Sequence, residues 1–136
     1  MSRPDHALVP RSILVVDDDP RARKLMRVIL EHAGYRVALA EDGESALAEF
    51  ALHPAEIVIA DLMMPGMDGI ELLARLRREP FEPRPLLMLL TAMDTSETRA
   101  AAYAAGADDL MTKPVDRGTL LERLAALSDG AAGDAR

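Results

Sequence analysis

The sequence predicts an α/β fold: a doubly wound, five-stranded parallel sheet in the order 2-1-3-4-5, with five helices. Three observations predict it. Five short apolar runs alternate with five segments of helical periodicity, and such alternation builds a parallel sheet covered on both faces. The fourth run, "PLLMLL" (Pro85 to Leu90), is continuously apolar, as a central strand buried on both faces requires. Polar residues collect where the runs end, and doubly wound sheets hold their ligands at those carboxyl ends. With five strands the flavodoxin-like order is the expected one.

The elements follow in order. Residues 1–11 contain two prolines, lack periodicity and read as a flexible leader. "SILVV" (Ser12 to Val16) is the first buried strand. Pro20 suits a helix first turn, and Ala22, Leu25, Met26, Ile29 and Ala33 then recur at helical spacing until Gly34 ends the helix. "YRVALA" (Tyr35 to Ala40) alternates like a strand, and "EDGESALAEFAL" follows as a helix with Ala46, Leu47, Phe50 and Ala51 on one face. "EIVIA" (Glu56 to Ala60) is the third strand; "GIELLARLRR" (Gly69 to Arg78) is a helix with Ile70, Leu73 and Leu76 inward. After the fourth strand, "SETRAAAYAAG" (Ser96 to Gly106) is an Ala-rich helix closed by glycine. "DLMT" (Asp109 to Thr112) is a short fifth strand, and "DRGTLLERLAAL" (Asp116 to Leu127) is the last helix, capped by Asp116. Residues 129–136 read as a flexible tail, which leaves one domain over 12–128.

A chain of 136 residues with 49% apolar content can bury one full core. Aromatics are only 3%, so Leu, Ile, Val, Ala and Met must fill it. Without cysteine there is no disulfide or thiolate chemistry, and a cytoplasmic setting is compatible. No apolar stretch approaches the roughly 20 residues of a membrane helix, so no membrane association is expected. The net charge of -7 argues against direct nucleic-acid binding and suits a site that gathers cations.

The strand-end residues are Asp17, Asp18 and Asp19 after the first strand, Asp61 after the third, Thr91 after the fourth and Lys113 after the fifth. In the predicted order these four strands are neighbours, so the groups converge. Two carboxylates about 4 Å apart repel by roughly 4 kcal/mol at an effective dielectric near 20. Three of them call for a cation, and oxygen ligands suit a hard divalent ion, Mg2+ first. No Asp-x-Asp-x-Asp-Gly loop favours Ca2+. A free carboxylate ringed by a divalent ion, a lysine and a hydroxyl can receive a phosphoryl group. Asp19 is expected to cap the first helix, Asp68 to serve a local turn, and Met63, Met64 and Met67 to pack. "RARK" and "RLRR" read as solvated helix faces.

The stretches "ILVVDDDP", "DLMMPGMDG", "LLTA" and "KP" stand in the order and at the distances of one family. The chain resembles the receiver domain of bacterial two-component response regulators over about residues 12 to 128. That resemblance implies that Asp61 is the phosphoacceptor, taking a phosphoryl group from a histidine kinase or histidine phosphotransfer domain. It implies Mg2+ bound directly by Asp18 and Asp61, mainly through water by Asp17, and by the backbone carbonyl of Met63, with Mn2+ as a substitute. Thr91 and Lys113 would each contact a phosphoryl oxygen, and the Lys113–Pro114 bond would be cis. The domain would not be an enzyme beyond catalysing its own phosphorylation and dephosphorylation. Kinase docking is implied at the first helix, here Arg21, Lys24, Met26 and Arg27. A possible homodimer is implied through the face of the fourth helix, fifth strand and fifth helix.

Two departures stand out. The family usually carries Tyr or Phe at the switch position three residues before the lysine, which here is Leu110. The positions two beyond Asp61 and two beyond Thr91 are Met63 and Met93. In the family these flank the path of the hydrolytic water, so two methionines would shield the phosphoryl group and lengthen its lifetime. A metal-dependent phosphohydrolase is the competing reading, but it wants a second acid where Met63 stands. A receiver that only binds is another, opposed by the full set Asp17, Asp18, Asp61, Thr91 and Lys113. The ending soon after the fifth helix fits a stand-alone receiver or a piece of a larger regulator or hybrid kinase.

Overall fold

The structure, a computed structural model, describes the backbone of residues 12–134 and the side chains through Asp129. The chain runs β1 (Ser12–Val16), α1 (Pro20–His32), β2 (Arg36–Ala40), α2 (Gly43–Leu52), β3 (Ile57–Asp61), α3 (Gly69–Arg78), β4 (Leu86–Thr91), α4 (Ser96–Ala105), β5 (Asp109–Thr112) and α5 (Arg117–Asp134). The strands form one parallel sheet in the order β2-β1-β3-β4-β5. The expected fold class is therefore found, with its order and its five helices. The leader expected over 1–11 lies outside the described residues.

Side chains of successive strand residues point to opposite faces, and the two faces build two cores. Leu14, Val16, Val58, Ala60, Leu87, Leu89 and Leu110 pack with residues of α2, α3 and α4, including Phe50, Leu72, Leu73 and Ala102. Ile13, Val15, Ile57, Ile59, Met88, Leu90 and Met111 pack with Met26 and Leu30 of α1 and Leu120 and Leu124 of α5. Fully burying an aliphatic side chain of this size stabilises by about 1.5–3 kcal/mol, so each face is anchored many times over. Among the described residues no helix is long and apolar enough to cross a membrane.

Caps set the helix starts. Asp19 accepts from the Arg21 N–H, Asp42 from Ser45, Asp68 from Glu71 and Asp116 from Thr119, which satisfies donors that a first turn leaves open. The capping expected of Asp19 and Asp116 is thus present, and Asp68, expected only to serve a turn, caps α3 as well.

Among the helices, four features differ from the sequence reading. On α1, Leu25 is 60% exposed and Ala33 is exposed, whereas Met26 is 4% exposed and Leu30 fully buried. The inward stripe runs through Met26, Ile29 and Leu30, so Met26 belongs to the core and cannot serve a docking surface; Leu25 and Val28 are the apolar residues facing out. Ala51, expected on the inner face of α2, is exposed. The last helix continues past Leu127 to Asp134. Buried Ser128 donates its hydroxyl to the Leu124 carbonyl, and the glycines beyond it lower helix propensity by only about 1 kcal/mol each.

The fourth difference is Arg77, which is not a solvated member of "RLRR". Its Nε donates to the Gly106 carbonyl at 3.0 Å, Nη1 to the Pro85 carbonyl at 2.7 Å and Nη2 to Asp108 Oδ2 at 2.6 Å. Asp108 Oδ2 also accepts from the Leu87 N–H at 2.8 Å. The end of α3 is thereby tied to the start of β4 and the α4–β5 turn. Gly106 adopts φ +113° to close α4, and a Cβ there would run into the Arg77 side chain.

Candidate functional site

The carboxyl ends of β1, β3, β4 and β5 lie side by side. Backbone pairing carries the ladder to their last residues. Asp61 and Thr91 are themselves strand residues, one later than the sequence suggested. The Leu62 N–H donates to the Leu90 carbonyl, the Lys113 N–H to the Thr91 carbonyl and the Asp17 N–H to the Ala40 carbonyl. The side chains therefore start from fixed backbone rather than from loops.

Asp17 and Asp61 are buried and Asp18 is exposed, and each offers a carboxylate oxygen within 4.8 Å of the others. Lys113 Nζ sits 3.2 Å from Asp17 Oδ2 and 3.3 Å from Asp61 Oδ1. The Lys113–Pro114 peptide is cis. Three carboxylates face one ammonium, which leaves a surplus of two negative charges. Oxygen donors with that surplus fit a hard divalent cation.

The electrostatics follow from burial and neighbours. Burial raises the Asp61 pKa above the ordinary carboxylate range; the Lys113 charge opposes this, while Asp17 and then Asp18 add repulsion. For Lys113, burial pulls the pKa down, but the charges of Asp17 and Asp61 and hydrogen bonds to both outweigh it, so the pKa stands above that of an ordinary lysine.

Thr91 is fully buried, and its hydroxyl is not engaged with the acids. It accepts from the Met93 N–H at 2.8 Å and donates to the Met93 carbonyl at 3.3 Å. Strand phase explains the division. Asp17, Asp61 and Lys113 continue the alternation of Ile13 and Val15, Ile57 and Ile59, and Met111, on the α1/α5 face. Thr91 continues Leu87 and Leu89, and shares with Leu110 the face of α2, α3 and α4. Leu110 is already buried there. Met64 and Met67 are buried as expected, whereas Met63, also expected to pack, is 63% exposed, and Met93 is 54% exposed.

Three contributors were missed by the sequence reading. The Asp19 N–H donates to Asp17 Oδ1 at 2.9 Å, so Asp19 steadies Asp17 as well as capping α1. Arg23 Nη1 donates to the Asp17 carbonyl at 2.6 Å; its position one turn into an acid-led helix was the available signal. Gly69 lies against β3, where a Cβ would strike the Asp61 carbonyl and come within 2.7 Å of Leu89 Cδ1. Gly69→Ala is expected to destabilise by about 2 kcal/mol, as overpacking does, and to displace the end of β3. The denaturation midpoint reads the first effect and the rate of any chemistry at Asp61 reads the second; an unchanged midpoint contradicts the close fit.

Comparison with known proteins follows the same lines. Residues 13–125 match the sequence model described as the response regulator receiver domain. The chain is 38% identical over 118 residues to the probable transcriptional regulatory protein TcrX of Mycobacterium tuberculosis, covering 87% of this chain and 50% of that one. It is 43% identical over 119 residues to the response regulator MprA of Mycolicibacterium vanbaalenii, covering 88% and 51%. The chain thus spans about half the length of these curated relatives. Among solved structures it is similar to the chemotaxis protein CheY4 of Vibrio cholerae, with TM-score 0.82 and 30% identity over 87% of this chain and 98% of that one. A chain of the CheX-CheY-BeF3-Mg+2 complex from Borrelia burgdorferi is similar with TM-score 0.80 and 28% identity, covering 88% and 90%.

Proposed function

This chain belongs to the response regulator receiver domains of two-component signalling, and from that premise we propose that it is a phosphoacceptor switch whose acceptor is Asp61. The observation that carries the reading is the buried Asp61 carboxylate, with the Lys113 ammonium 3.3 Å away and Asp17 and Asp18 beside it. Asp61 attacks the phosphorus of a phosphohistidine on a histidine kinase or phosphotransfer domain. The P–N bond breaks, the imidazole leaves and takes a proton, and Asp61 carries an acyl phosphate.

Asp18 and Asp61, the Met63 carbonyl and, through water, Asp17 would hold Mg2+, with Mn2+ as a substitute. When bound, the ion supplies charge neutralisation for the phosphoryl oxygens. Lys113 pairs with one phosphoryl oxygen. Thr91 donates to another by leaving its bonds with Met93, which carries the chemical event into the β4–α4 loop. Leu110 lies buried on the same face as Thr91, so a shift of the loop and α4, rather than a ring swinging inward, transmits the change.

For partners, α1 offers exposed Leu25 and Val28 beside Arg21, Lys24 and Arg27 as the kinase-docking surface. The α4–β5–α5 face, where Arg123 pairs with Asp109 at 2.8 Å, is the surface for output or dimerisation.

Incubation with Mg2+ and a small acyl-phosphate donor tests the reading. The expected result is one phosphoryl mass, mapped to Asp61; repeated turnover of a phosphoester would instead favour a phosphohydrolase. In the same assay Met63→Asn is expected to speed phosphate loss roughly fivefold, the rate equivalent of one new water-orienting hydrogen bond worth ~1 kcal/mol. A lifetime equal to that of the parent would refute shielding by Met63.

A further inference from the structure

Seven methionines lie among the described residues, and five of them, Met26, Met64, Met67, Met88 and Met111, are buried. The two exposed ones, Met63 at 63% and Met93 at 54%, stand two residues past Asp61 and two past Thr91. Both exposed thioethers therefore rim one site, and the interior holds the rest. Met93 is also bound through its own N–H and carbonyl to the Thr91 hydroxyl, so its position is coupled to the group proposed to answer phosphorylation.

We propose that Met63 and Met93 form a modification site for hydroperoxides, and that their oxidation shortens the life of the phosphoryl group. The inference rests on the phosphoacceptor reading and adds a control to it. In the step, a sulfur lone pair attacks a peroxide oxygen, an S–O bond forms and the O–O bond breaks. The sulfur is oxidised by two electrons, and the hydroperoxide is reduced to water or an alcohol. The product sulfoxide is polar and carries an oxygen that accepts hydrogen bonds. A group that kept water from the acyl phosphate becomes one that holds water beside it. A sulfoxide on Met93 also adds a polar group to the residue whose backbone holds the Thr91 hydroxyl. A thiol-dependent methionine sulfoxide reductase reverses the change. Exposure decides selectivity, because oxidant reaches Met63 and Met93 without any opening of the core.

The test uses the full chain treated with dilute hydrogen peroxide, then phosphorylated with Mg2+ and a small acyl phosphate. Peptide mass mapping is expected to find the added oxygen on Met63 and Met93 well before the five buried methionines. The phosphoryl half-life is expected to fall about fivefold and to recover after reductase treatment. The Met63→Leu/Met93→Leu double variant, compared with its own untreated half-life, is expected to give a ratio near one. Oxidation spread evenly over all seven positions, or a half-life unmoved after both sites are oxidised, overturns the inference while leaving Asp61 as acceptor. Failure of the untreated chain to take up any phosphoryl group overturns the underlying reading, and this inference with it.

Discussion

Asp61→Asn is expected to abolish covalent phosphorylation completely and, at neutral pH, to make the fold more stable. The amide has the same size but no nucleophilic oxygen, so mass spectrometry after treatment with Mg2+ and an acyl phosphate should find no phosphoryl group anywhere on the chain. The stability gain follows from the raised Asp61 pKa. Where an acid titrates higher in the folded state, the folded state holds its proton more firmly, so stability falls as pH rises. The loss begins near the ordinary carboxylate value of about 3.9 and is complete above the raised one. The variant has no such loss. Its advantage over the parent should therefore be largest at pH 7 and shrink as the pH falls toward 4. A parent chain as stable as the variant at pH 7 would mean that Lys113 fully compensates Asp61.

Lys113→Met should do the opposite. Methionine keeps the length of the stem and removes the ammonium that sits between Asp17 Oδ2 and Asp61 Oδ1. Taking one partner from a buried pair costs about 3–5 kcal/mol; because Lys113 is partly open to solvent, about 2 kcal/mol is expected in metal-free buffer. Millimolar Mg2+ should recover much of this, since a cation that binds only the folded state stabilises it by mass action. The pH dependence carries the opposite sign from that of Asp61. The Lys113 pKa is raised, so its contribution is complete below the ordinary lysine value of about 10.4 and disappears as the pH climbs through the raised one. The parent should lose stability in that alkaline range and the variant should not. Denaturation curves with and without Mg2+ decide the matter: a variant as stable as the parent without metal, or one indifferent to metal, contradicts the paired arrangement.

Much of this was legible in the sequence, for identifiable reasons. The strand order rested on alternation of apolar runs with helices, and the convergence of Asp17, Asp61 and Lys113 follows from that order plus the end of each run. The period-2 rule even contains the separation of Thr91 from the acids, since Thr91 is in step with Leu87 and Leu89 while Asp61 is in step with Ile57 and Ile59. Asp61 and Thr91 looked like residues after the strands because they are polar, but pairing continues through them. Leu25 and Met26 are adjacent and both apolar, so helical spacing alone could not say which faced in. The close approach of Gly69 to Asp61 was hidden for a different reason: it depends on where a distant backbone carbonyl ends up.

Arg77 was hidden in a run of like charges, and its placement has a consequence of its own. Its three nitrogens meet three acceptors from two segments, the α4–β5 turn and the residue before β4, a fork that a lysine, offering a single charged point, cannot reproduce. The fastening lies at the pole of the sheet opposite Asp61, where β4 and β5 begin. The start of α4 has exposed, local ties, the Thr95 cap on Thr98 and the Asp94–Arg99 pair, the latter contributing little. The α4 shift proposed above is therefore expected to swing about Gly106, with the end near the site moving and the end tied to α3 held.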